Sequence, residues 1–191
     1  MAVKSLKRSS VKSTQKANAM ATGYTFQDYE LIESVFLASP AASVTFSNLN
    51  QYATEYKHLQ LRMVARSGGV NSNAALRFNG VTTASYSTHY LVGTGSNIEP
   101  FGEANVNQIG QVINLPPNAE GFAVSVVDIL DCFSTTKNKT ARRLGGFSLG
   151  FGRQVSLVSG AFFSTSPTNS LTIFSSDNIG SSSRLSLYGI R

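Results

Sequence analysis

The chain is poorest in the residues on which much catalytic and covalent chemistry depends. Of its 191 residues one is cysteine, Cys132, so no intrachain disulfide can form and neither a cysteine-based zinc cluster nor a CxxC redox pair exists. A fold without covalent staples fits a reducing compartment. The two histidines, His58 and His89, lie 31 residues apart with no HExxH or comparable ligand spacing, so no metal site is expected. No stretch approaches the roughly 20 apolar residues that span a bilayer, and behind the basic N-terminus there is no apolar segment of about 7–15 residues to act as a secretory signal. These absences predict a soluble protein of cytoplasmic origin, without cofactor or membrane partner.

Acidic residues are missing from the first 27 positions, which carry Lys4, Lys7, Arg8, Lys12 and Lys16. Removing those five from the 16 basic residues leaves 11 against 10 acids, so the formal net charge of +6 belongs almost entirely to this segment. Residues 1–23 show no helical or strand periodicity and are rich in Lys, Ser, Gln, Thr and Asn, a composition that buries too little apolar surface to offset the entropy of ordering. The expected organisation is a flexible basic arm over residues 1–23 and a single neutral domain over residues 24–191.

The domain is rich in what strands and turns use. The whole chain has 12 Phe and 16 Gly; Ser, Thr and Asn crowd the gaps between short apolar runs, and Lys and Glu, which favour exposed helix faces, are scarce. In "HLQLRMVAR" the residues Leu59, Leu61, Met63 and Ala65 point one way and Gln60, Arg62, Val64 and Arg66 the other, a period of two that means a strand with one core face. Leu76 and Phe78 of "ALRFNG" point inward, and Asn79-Gly80 is a hairpin signal. Further strands are expected at Ser43–Phe46, Ser85–Leu91, Asn107–Leu115 and Gly121–Leu130, and in "RRLGGFSLG", "SLVSGAFF", "SLTIFS" and "SRLSLYGIR". "NQYATEYKH" reads as a helical turn or a loop, and Gly93–Asn105 as an exposed loop. Some eight to ten short strands predict an all-β protein, a β-sandwich or jelly roll with an extended N-terminal arm.

Candidate chemistry is thin. Asp128 and Asp131 in "VVDILDCF" resemble an acid pair with Cys132 beside them, yet a carboxylate inside a sandwich more commonly answers a donor, here Arg142, Arg143 or backbone N–H groups. Glu99 and Glu103 are four residues apart with nothing to place them across a cleft, as glycoside hydrolysis would need. "GGFSLGFG" lacks the Lys-Ser or Lys-Thr of a phosphate loop and alternates like a strand in which another backbone comes close. The basic arm has no interleaved aromatics, so nucleic-acid binding is the weaker reading and contact with acidic protein surfaces the stronger.

Several stretches together resemble a group of small virion proteins of tailed bacteriophages, cyanophages among them: "KSLKRSSV", "YELIESVFL" with "ASVTFSNL", "YKHLQLRMVARS" with "LRFNG", "VVDILDCFSTTKNKTARRL" and the ending "RLSLYGIR". The resemblance implies a non-enzymatic jelly-roll protein of the virion, a homo-oligomer and specifically a trimer, that decorates the capsid exterior as a cement protein bound to the major capsid protein. A tail or fibre component with host-contacting loops is the second role it allows. On the cement reading Lys4, Lys7, Arg8, Lys12 and Lys16 meet carboxylates of the shell, Val3, Leu6 and Val11 fill apolar pockets, and Arg62, Arg66, Asp128, Arg142 and Arg143 serve structural or subunit contacts.

Overall fold

A computed structural model describes residues 3–7, 29–117, 121–149 and 152–191. Among these residues the chain forms thirteen strands and one short 3-10 turn, Leu49–Tyr52. The strands are β1 (Val3–Lys7), β2 (Tyr29–Leu37), β3 (Ala41–Phe46), β4 (His58–Ala65), β5 (Ser72–Phe78), β6 (Tyr86–Gly93) and β7 (Ile98–Val106). They continue with β8 (Ile109–Leu115), β9 (Ala123–Leu130), β10 (Lys139–Leu149), β11 (Gly152–Phe162), β12 (Leu171–Ile179) and β13 (Arg184–Ile190). Every pairing is antiparallel, and the strands divide into a large sheet of nine, β1-β2-β13-β4-β9-β10-β11-β6-β7, and a small sheet of four, β3-β12-β5-β8. The all-β expectation is met; the strands split nine and four, whereas a jelly roll is eight strands in two Greek keys.

Alternation places the core. Leu59, Leu61, Met63 and Ala65 of β4 are all buried, as are Val127 and Ile129 of β9 and Leu185 and Leu187 of β13. From the small sheet Leu76 and Phe78 of β5, Val112 and Leu115 of β8 and Leu171 and Ile173 of β12 join the same cluster. Phe162 stacks on Phe78 at 5.2 Å and on Tyr86 at 4.8 Å, closing the end of the sandwich near the β5 turn. Each such side chain contributes about 1.5–3 kcal/mol through burial, which is the main term holding the sheets together.

Three expectations change. Asn79 and Gly80 do adopt positive φ, 52° and 68°, and Val81 N–H donates to Phe78 O at 2.9 Å, yet no hairpin follows. The turn closes, but β5 belongs to the small sheet and β6 to the large one, so the chain crosses between layers instead of folding back on its neighbour. Residues Gly93–Asn105, expected as a loop, are mostly strand: β7 pairs with β6 at the edge of the large sheet, and eight of its nine residues are exposed. Within the N-terminal segment, expected to stand free of the body, Val3–Lys7 pairs with β2 from Val3 opposite Leu37 to Lys7 opposite Glu33. Backbone hydrogen bonds to a sheet edge do not require an alternating side-chain pattern, so the composition of this stretch did not disclose the pairing.

Candidate interaction surface on the outer sheet face

The small sheet packs on one face of the large sheet; among the described residues nothing covers the other face, and its side chains fall in rows set by the strand registers. One row runs Arg62, Val126, Leu144, Leu157, Leu91 and Pro100 across β4, β9, β10, β11, β6 and β7. The adjacent row runs Val64, Val124, Gly146, Val155, Gly93 and Ile98 over the same strands. Eight of these are large aliphatic residues between 40% (Val126) and 76% (Ile98) exposed. Together they present on the order of 700 Å² of apolar surface, above the roughly 300–600 Å² of the largest patch on an ordinary monomer.

A shallow depression of about 780 Å³ lies over this field, with Val64, Val124, Val126, Leu144 and Val155 along it and Arg62 and Arg184 at one end. The glycine pair in β10 helps to shape it. A Cβ on Gly146 would stand 2.2 Å from the backbone oxygen of Gln154 in β11, so the strands approach there more closely than a side chain allows. On the opposite side, a Cβ on Gly145 would fall 2.7 Å from the Arg143 guanidinium.

The third row is polar and fixes where the apolar field ends. Gln60 Nε2 donates to Asp128 Oδ1 at 2.7 Å, Arg142 donates to Asp128 Oδ2 at 3.0 Å, and Arg62 Nε donates to Gln60 Oε1 at 2.7 Å. Arg62 also lies over the Tyr188 ring at 4.5 Å and the Tyr29 ring at 5.5 Å, a cation–π arrangement that holds its charge at the rim. Arg184 sits 5.4 Å from the centre of the Phe36 ring. Arg66 is tied elsewhere, donating to Ser181 O at 3.0 Å and stacking on Phe122 at 4.8 Å.

Strand parity separates the neighbours Arg142 and Arg143. Arg142 faces solvent and takes the Asp128 carboxylate, while Arg143 is 1% exposed between the sheets. Its guanidinium donates to Asn114 Oδ1 at 2.8 Å, to Ser125 Oγ at 3.2 Å and to Ser156 Oγ, all of them neutral acceptors, and burial lowers its pKa to about 10. Arg143 is therefore a core residue and does not reach Asp128 or a subunit surface in this fold.

The other candidates are held locally. Asp131 N–H donates to His58 Nδ1 at 2.9 Å, and the Asp131 carboxylate meets Lys137 at 3.3 Å. Cys132 is buried with its thiol 3.4 Å from Lys57 O, and burial pushes its pKa up to about 12, which keeps it protonated and a poor nucleophile. Lys139 is also buried, donates to Ser134 O at 2.6 Å and Lys137 O at 3.1 Å, and has its pKa lowered by desolvation. Glu99 and Glu103 share β7, where Tyr90 donates to Glu103 at 3.3 Å. Val3, Lys4, Leu6 and Lys7 lie in β1, and Arg8, Val11, Lys12 and Lys16 fall outside the described residues.

The outward aliphatic residues were not singled out from sequence, although a signal existed: "AVSVVDIL" and "LRMVAR" are apolar at outward as well as inward positions, the pattern of strands covered on both faces. Among the described residues, fold and surface define an all-β protein with an uncovered apolar sheet face. No protein-family model matches the chain, and no curated protein and no solved structure matches it significantly.

Proposed function

We propose that the chain is a structural protein of a tailed-bacteriophage virion, a cement protein that binds the outer surface of the major capsid protein lattice and stabilises the shell through its N-terminal arm and by homo-oligomerisation. The observation that supports its oligomeric part is the apolar face of the large sheet, uncovered among the described residues, a kind of surface suited to protein contact. The charge asymmetry supports the arm: five cations precede the first acid, Asp28. An extended segment of this kind joins a partner by backbone pairing and by charge, and Val3–Lys7 already occupies a sheet edge in that way on β2. Several arms on one oligomer would bind a lattice with avidity.

The reading is tested with purified virions and with a chain lacking residues 1–23. Quantitative mass spectrometry should count this chain in the hundreds per particle, comparable with the shell protein, and the shortened chain should fold and associate but fail to bind particles stripped of the native protein. A count of a few dozen or fewer, or full decoration without the arm, contradicts the cement role.

A further inference from the structure

We infer that the open apolar face of the large sheet is the contact between copies of this chain, and that it packs against the same face of a second copy about a twofold axis. The occupant follows from edges, area and charge. The β7 edge of the large sheet carries Pro100, which lacks an N–H and opposes edge-to-edge pairing, so copies are directed to the face. The apolar field, on the order of 700 Å², approaches the roughly 800 Å² that each partner contributes to a standard specific interface.

The face also complements itself. Place a twofold axis between two facing sheets, parallel to the strands and over the boundary between β10 and β11. Then β10 lies over β11 of the second copy, β9 over β6, and β4 over β7. In the registers of the large sheet Leu144 meets Leu157, and Val126 meets Leu91. Val155 comes over Gly146 and Val124 over Gly93, so large side chains face positions that carry none. In the polar row Asp128 falls over His89. Arg62 comes over Pro100. An axis across the strands would instead gather Arg62 and Arg184 of both copies at one end, where like charges oppose one another.

This deepens the oligomeric part of the cement reading and depends on that reading nowhere else. A self-matching face is an isologous contact and gives two copies, where the resemblance implies three. The experiment is the molar mass of the purified full chain by light scattering, for the native protein and for Leu144→Glu, which introduces its charge at a side chain 61% exposed and so spares the core. The native chain should show twice its 20.4 kDa, and Leu144→Glu, repeated on both sides of the axis, should weaken association about 100-fold or more and give the single-chain mass. As a second measurement, Val126→Cys with Leu91→Cys should be joined between chains by a short bis-maleimide. Within one chain those positions are three strands apart, about 14 Å, while facing sheets lie about 10 Å apart. A monomeric or trimeric native protein, a dimer unaffected by Leu144→Glu, or the absence of interchain cross-linking overturns the inference. Particle binding is measured separately, so a failed cement role with an intact dimer, or the reverse, is recognisable.

Discussion

The two faces of the large sheet use the same residues to different ends. On β9 Val127 and Ile129 are fully buried against the small sheet, while Val124 and Val126, alternating with them, are 55% and 40% exposed. On β10 and β11 the contrast recurs, with Ala141 and Val158 inside and Leu144 and Leu157 outside. A strand covered on one face ordinarily alternates apolar and polar residues, whereas one covered on both is apolar throughout. The difference between the faces is therefore one of cover rather than composition: the chain supplies a second layer for the inner face, and the outer face has the composition of a surface awaiting one.

The sharpest way to break that contrast is to truncate one residue on each side. Leu61→Ala should lower stability by about 3 kcal/mol through lost burial and the cavity left behind, seen as an earlier denaturant midpoint at an unchanged slope. Leu144→Ala, measured under conditions where the chain is monomeric, should stay within about 0.5 kcal/mol. Equal losses would mean that the faces are not different in the way described.

The core has one polar feature whose removal should cost somewhat less. Asn114→Ala takes an acceptor from the buried Arg143 guanidinium and should destabilise by about 2 kcal/mol in a denaturation experiment. Replacing the cluster with apolar residues, Arg143→Met with Asn114→Leu, should recover much of that loss, because no buried charge is then left short of partners.

A pH effect of about 1 kcal/mol should mark Cys132. Burial raises its thiol pKa from 9.0 to about 12, so its contribution to stability is fully present below pH 9 and declines as pH rises toward 12. Between pH 9 and 10 the native protein should lose about 1 kcal/mol relative to Cys132→Ala. The lowered pKa of Arg143, about 10 against an ordinary 12.5, adds stability to both proteins alike above pH 10 and cancels in the comparison. Parallel stability curves for the two proteins from pH 9 to 10 would contradict the assignment. The smallest effect is expected at the outer polar row: Asp128→Asn should cost less than about 1 kcal/mol, since Arg142 is 65% exposed and its ion pair is screened.

The inner half of this molecule was legible in sequence and the outer half was not. Period-two alternation placed Leu59, Leu61, Met63 and Ala65 in the core because burial on that face demanded apolar residues at every second position. The edge strands carried no such imprint: β7, exposed on nearly all of its length and containing Pro100 and Gly102, reads as a loop. β1 is held by backbone pairing that its side chains do not announce. Asn79-Gly80 identified a turn correctly but could not say which sheet the next strand would join, since that depends on contacts distant in sequence. The interaction surface escaped for a related reason: Val64 was visible among outward residues of β4, but only the register of β4, β9, β10, β11 and β6 turns scattered outward aliphatics into one field.

The most direct test is hydroxyl-radical footprinting of Leu91, Val126, Leu144 and Leu157 in the full chain at high and low concentration, with Leu61 as the internal reference. The two-face account predicts that the four outer residues are protected when the chain is concentrated and become labelled on dilution, while Leu61 stays protected throughout. Outer residues labelled to the same high extent at both concentrations would show that no second copy covers them, and would contradict it.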